Sequence, residues 1–181
     1  MKKSIKVLSL LSAMVAMSFS LMFITSCDDG DDDNIDQELP TANPVVNVQV
    51  ACTIDLNDVY YDFYNVSMTY CDEDGSFKTV PVNKNETLGV KYDVEKVPAV
   101  ISCKLEGILK DSLPEIDTTK IYNLSNKSYV QFAEIKKDGS LNSLKSMSSS
   151  YSFNLKGGKL SEYISKNDTV TLLSTTHEWK K

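Results

Sequence analysis

Val46, Val48, Val50, Cys52 and Ile54 fall on every second position, with Asn47, Gln49 and Thr53 between them. That alternation constrains the chain more than any other feature. A period of two places one apolar and one polar face on an extended strand, the pattern of a half-buried sheet. The same phase recurs in Tyr64, Val66, Met68 and Tyr70, in Leu88, Val90, Tyr92 and Val94, and in Val97, Ala99, Ile101, Cys103 and Leu105. Asp72-Glu73-Asp74-Gly75 and Lys137-Asp138-Gly139 read as turns, because Asp-Gly supplies the positive φ of a tight hairpin. Phe77 to Val82 is the expected return strand, with Pro81 marking a sheet edge.

The second half of the chain is less regular. Ile121–Leu124, Tyr129–Ile135, Tyr151–Leu155 and Thr169–Thr175 are expected strands. Asp111 to Thr119 is an expected polar loop, and Ser140 to Ser150, rich in serine, another. Gly157-Gly158 reads as a turn, and Leu160 to Ser165 as one helical turn. No helical pattern is long enough for the crossovers of a parallel sheet. The expected fold is all-β: an antiparallel β-sandwich, immunoglobulin-like or related, of about 7–9 strands, with a barrel the less favoured closure.

Ahead of this region stands a different kind of segment. Lys2, Lys3 and Lys6 are followed by the uncharged stretch Val7 to Ile24, then by Thr25-Ser26-Cys27 and the acidic run Asp28, Asp29, Gly30, Asp31, Asp32, Asp33. A basic head, an apolar middle and small residues before a cut describe an export signal. Positive charge, not aspartate, would follow a retained membrane span. The expected organisation is a signal peptide over residues 1–26, a lipidated cysteine and acidic tether over 27–44, and one β-rich domain over 45–181.

The segment from Lys2 to Cys27 resembles the lipobox of bacterial lipoproteins. The resemblance implies a diacylglycerol thioether on Cys27 and attachment to a membrane through it. Asp28, Asp29, Asp31, Asp32 and Asp33 resemble the surface-export signal of Bacteroidetes lipoproteins, which implies an outer-membrane protein exposed at the cell surface. In enterobacteria an aspartate directly after the cysteine instead favours retention at the inner membrane, so a periplasmic location stays open. The resemblance covers residues 1 to 33 and implies a place, not an activity.

Charge follows the same division. The full chain carries 19 basic and 25 acidic residues. Seven acids lie between Asp28 and Glu38, and from Val45 onward 18 acids face 16 lysines, a net of −2. A near-balanced domain with no arginine lacks the basic surface and bidentate forks of a nucleic-acid binder, so no nucleic-acid partner is expected.

No residue set carries recognisable catalysis. His177 is the single histidine, so a triad, a Cys-His dyad or a multi-histidine zinc site has little to draw on, and an exposed histidine on a terminal strand is the expectation. Asp29, Asp31 and Asp33 begin like a calcium loop, but Asn34 stands where glycine is required and Pro40 where the bidentate glutamate belongs. Asp55, Asn57 and Asp58, and Asp72, Glu73 and Asp74, are explained by turn chemistry. No metal, cofactor or catalytic residue is assigned.

Two features remain. Tyr60-Tyr61-Asp62-Phe63-Tyr64, read as a strand, turns Tyr64 inward and Tyr61 and Phe63 outward, where flat rings could stack on a sugar. Cross-strand aromatic pairing is the structural alternative. Cys52 and Cys103 lie in the apolar phase and are expected to be buried, with a bridge between them left open. Cys71 lies out of phase and is the expected accessible thiol. The function that follows is a non-catalytic binding or accessory module for a glycan or another envelope protein. The alternatives are a structural or adhesive subunit pairing through a strand edge and, third, a small hydrolase whose two carboxylates the sequence does not mark.

Overall fold

A computed structural model describes residues 43–180. Cys27, the acidic run and most of the expected tether lie outside the described residues. The described chain runs β1 (Val45–Thr53), α1 (Asp58–Phe63), β2 (Tyr64–Cys71), β3 (Phe77–Val82), β4 (Thr87–Asp93), a 3-10 turn at Val94–Lys96, β5 (Val100–Leu109), β6 (Ile121–Lys136), β7 (Leu141–Lys156), α2 (Gly157–Lys166) and β8 (Thr169–Glu178). Two four-stranded antiparallel sheets form, β4-β1-β6-β7 and β3-β2-β5-β8. This is the all-β sandwich, and the described residues form no closed barrel. Among the described residues no helix is long and apolar enough to cross a membrane.

The period-two positions supply the core. Val48, Val50 and Cys52 of β1, Val66 and Met68 of β2, and Ile101, Cys103 and Leu105 of β5 are all within 4% of full burial. Both expected turns carry glycine at positive φ, +80° at Gly75 and +84° at Gly139. In each, the aspartate just before the glycine (Asp74, Asp138) accepts the N–H two residues on. β3, which holds Pro81, lies at the edge of its sheet.

A bulge on β8 changes the far side of the core. Leu105 pairs with Leu173, but Glu106 pairs with Thr171, so Leu172 has no opposite residue on β5. Leu172 and Leu173 are both buried. The Leu172 carbonyl accepts a 2.8 Å hydrogen bond from Nδ2 of Asn126, a fully buried residue of β6 in the other sheet. Nδ2 also donates to Ser149 Oγ on β7, and the Asn126 Oδ1 accepts from the Ser128 N–H at 2.9 Å. One side chain thus satisfies the bulge and ties the two sheets together.

Four expectations are corrected. Residues 58–63 form a helical turn, not a strand. Helical spacing sets Tyr60 and Phe63 on one face, and that face is buried; Tyr64 then starts β2. Ser140–Ser150 is not a loop: Leu141 onward is strand, paired along all of β6, which runs unbroken through the expected gap at residues 125–128. Gly157-Gly158 opens the ten-residue α2, whose Leu160 and Ile164 are buried at i, i+4 spacing. A Cβ on Gly157 would stand 2.1 Å from the Asp117 carbonyl oxygen, so close approach explains the glycine. Cys71 is 4% exposed rather than accessible. It ends β2, where its thiol turns to the Asp72 carbonyl and the Tyr92 hydroxyl donates to its own carbonyl. Burial there, with Asp72 and Asp74 nearby, pushes the thiol pKa up.

Candidate functional site

The aromatic patch does not form a sugar platform. Phe63 is 2% exposed, and its ring meets Tyr122 edge-on at 6.4 Å. Tyr60 shares a 2.7 Å hydrogen bond with Tyr151. Tyr61 is half-buried, and its hydroxyl donates to Asn85 Oδ1 at 2.9 Å. Burial, with Glu86, Asp55 and Asp58 adding to it, pushes Tyr61 up to about 12. The helical turn therefore closes one end of the sandwich, and Tyr61 and Phe63 do not share an open face.

The acidic groups marked in the sequence are engaged locally. Asp72 pairs with Lys78, Asp74 accepts from the Ser76 N–H, and Asp55 accepts from Asn85. Asn57 is turned onto β6, bonded to Asn123 and to the Ser125 N–H. Among the described residues no group of three metal-ligating side chains comes together. His177 lies on β8, half-buried, with its ring 5.9 Å from that of Phe132.

What the sandwich leaves open is β7. It has sixteen residues and stands at the end of its sheet, with β6 as its only strand partner among the described residues. Nearly half of its backbone N–H and C=O groups therefore point away from the sheet. Its side chains are small and polar over Ser146–Ser150 apart from Met147, which is 39% exposed; Leu141 at its start is 57% exposed. The other sheet edges are shorter: β3 has six residues, β4 seven and β8 ten.

The start of β7 adjoins a pair of hollows. One, about 630 Å3, is lined by Leu144 and Lys145 of β7, Thr176 and His177 of β8, and Trp179. The other, about 410 Å3, shares Trp179 and Glu134 with it and adds Val45, Val94 and Glu95. Both are open to solvent. A bulge at Leu144 between the Phe132–Lys145 and Ala133–Ser143 pairs turns Lys145 toward the other sheet. Its ammonium donates to the Thr176 carbonyl at 2.6 Å, closing one unpaired acceptor of the β8 edge. Trp179 is fixed by its backbone N–H, which donates to the Ala99 carbonyl at 2.8 Å. Its ring packs on the core, and the indole Nε1 is shielded with no hydrogen-bond partner among the described residues. Glu134, at the border of the two hollows, accepts from Asn142 Nδ2 at 2.7 Å.

The arrangement offers backbone donors and acceptors in a row beside a hollow lined by Leu144 and Trp179. That is the equipment of a binding surface. Trp179 is the single tryptophan of the chain. The β7 edge carried no comparable mark, since serine repeats without apolar alternation read as loop. Comparison of the chain with protein-family models, with curated proteins and with solved structures finds no match.

Proposed function

We propose that the chain is a lipid-anchored envelope protein whose β domain is a non-catalytic binding module. It takes an extended segment of another envelope protein onto the outer edge of β7. The observation that carries this reading is the sixteen-residue edge strand, long enough to pair with a full strand of a partner. Main-chain pairing would supply affinity, and the hollow at Leu144, His177 and Trp179 would select a side chain at one end of the paired segment. The glycan form of the reading loses its expected pair of rings, since Phe63 is buried.

The test is site-specific photo-crosslinking in intact cells. A photoreactive residue at exposed Ser146 or Ser148 of β7 should give a discrete higher-mass adduct. The same residue at exposed Thr79, on the β3 edge, should give none. No adduct from β7, or equal adducts from both edges, overturns the assignment.

Anchoring belongs to the same proposal. Lipid on Cys27 would hold the domain to the membrane, and residues 27–44, fully extended, would let it stand off by at most about 60 Å. Seven acids are gathered before Pro40 while the domain is nearly balanced, which supports a sorting role for Asp28, Asp29, Asp31, Asp32 and Asp33. Proteinase K added to intact cells should degrade the wild-type protein. Replacing the five aspartates with alanine should protect it while Cys27 remains acylated. Protection of the wild type would reduce the run to a solvated spacer and place the domain on the periplasmic face.

A further inference from the structure

Cys52 and Cys103 stand on opposite sheets, Cys52 on β1 and Cys103 on β5, and both are completely buried. Each sits inside its strand. Cys52 lies opposite Leu88 and Val130, and Cys103 opposite Tyr70 and Thr175. β1 and β5 bring Cα atoms within 8 Å of one another across the interior, less than the roughly 10 Å that separates stacked sheets. A disulfide spans Cα atoms about 4.4–6.8 Å apart. Each thiol is the strongest influence on the other: with burial added, Cys52 holds the Cys103 thiol well above its ordinary range, and Cys103 lowers that of Cys52. Cys71 ends β2 under its own turn, its thiol directed at the Asp72 carbonyl.

We propose that Cys52 and Cys103 form an intersheet disulfide in the exported protein, leaving Cys71 as a thiol. The inference rests on the export reading, because the bond persists only where the compartment is oxidising. The oxidant is a disulfide-bearing oxidoreductase or a small-molecule disulfide. Its S–S bond is attacked by one cysteine thiolate, giving a mixed disulfide and releasing one thiol. The second cysteine thiolate then attacks the mixed disulfide, closing the Cys52–Cys103 bond and releasing the other thiol. Two protein thiols are oxidised, and one disulfide is reduced to two thiols. Both sulfurs are sealed from solvent in the folded domain, so the exchange takes place while the chain is folding.

The test counts thiols on the full-length chain taken from the envelope of an expressing bacterium. Cells are quenched in acid and denaturant, and free thiols are blocked with N-ethylmaleimide. The protein is then reduced and labelled with a maleimide mass tag. Two tags should be gained on reduction, by the wild type and by Cys71→Ser alike, and none by Cys103→Ser. The purified protein should also lose roughly 10 °C of its unfolding midpoint when reduced. No tags gained by the wild type, or a gain that disappears in Cys71→Ser, overturns the pairing. A lipidated Cys27 takes no tag in either step, and an unlipidated one is blocked in the first. Failure of the anchor reading therefore shows as absent fatty-acid label and leaves this count unchanged.

Discussion

Replacing Asn126 with leucine should lower the unfolding midpoint of the domain by roughly 10–15 °C. Leucine has the same branched heavy-atom skeleton as asparagine and is no smaller, so the effect does not come from a cavity. It comes from what is left behind: the Leu172 carbonyl at the β8 bulge and the Ser128 N–H lose their partner inside the core. An unsatisfied buried group costs about 1–3 kcal/mol, so the pair, with the lost Ser149 bond, amounts to about 3–5 kcal/mol. Ser149→Ala removes only the β7 end of the network and should cost about 1 kcal/mol or less. Thermal unfolding followed by circular dichroism checks both. A midpoint for Asn126→Leu within about 3 °C of the wild type would mean that the bulge reaches water and that Asn126 does not tie the sheets.

Cys27→Ala should remove all incorporation of a fatty-acid analogue into the protein. A lipid-accepting cysteine has no substitute, because the acyl-bearing bond is a thioether to its sulfur. Each buried CH2 contributes about 0.8 kcal/mol to membrane retention, so two or three long chains anchor stably where one would not. Metabolic labelling with an alkyne fatty acid, followed by immunoprecipitation, reads the result directly. Label that persists in Cys27→Ala would remove the lipid anchor from the proposed function. The β7 crosslinking result would stand apart from it.

The sandwich was legible wherever a strand has one wet and one dry face. β1, β2, β4 and β5 alternate, and the alternation marks their inward residues. Pattern failed where that asymmetry disappears. β7 is exposed along most of its first ten residues, so Ser143, Ser146, Ser148 and Ser150 carry no period. β6 places Asn126 and Ser128 at core positions, polar residues that break the apolar phase and split one strand into two on paper. α1 failed for another reason. Tyr60 to Tyr64 is aromatic throughout and favours a strand locally, but six helical residues seat Tyr60 and Phe63 under the sandwich end. The candidate site was partly legible. Trp179 stood out by composition, while the hollow around it depends on β6, β7 and β8 meeting in space.

The order in which the chain visits its two sheets bears on how it can be made. Only the β2–β3 and β6–β7 connections stay within a sheet; every other one crosses to the opposite layer. β1 closes onto β6, and β5 onto β8, across scores of intervening residues. Such non-local closure is slow, because loop entropy is lost before the contacts form. The last strand supplies Leu172 and Leu173 to the centre of the core, so no earlier stretch of chain has a complete interior. A chain built this way completes its core only when β8 arrives, so under the proposed export it would fold after β8 has crossed.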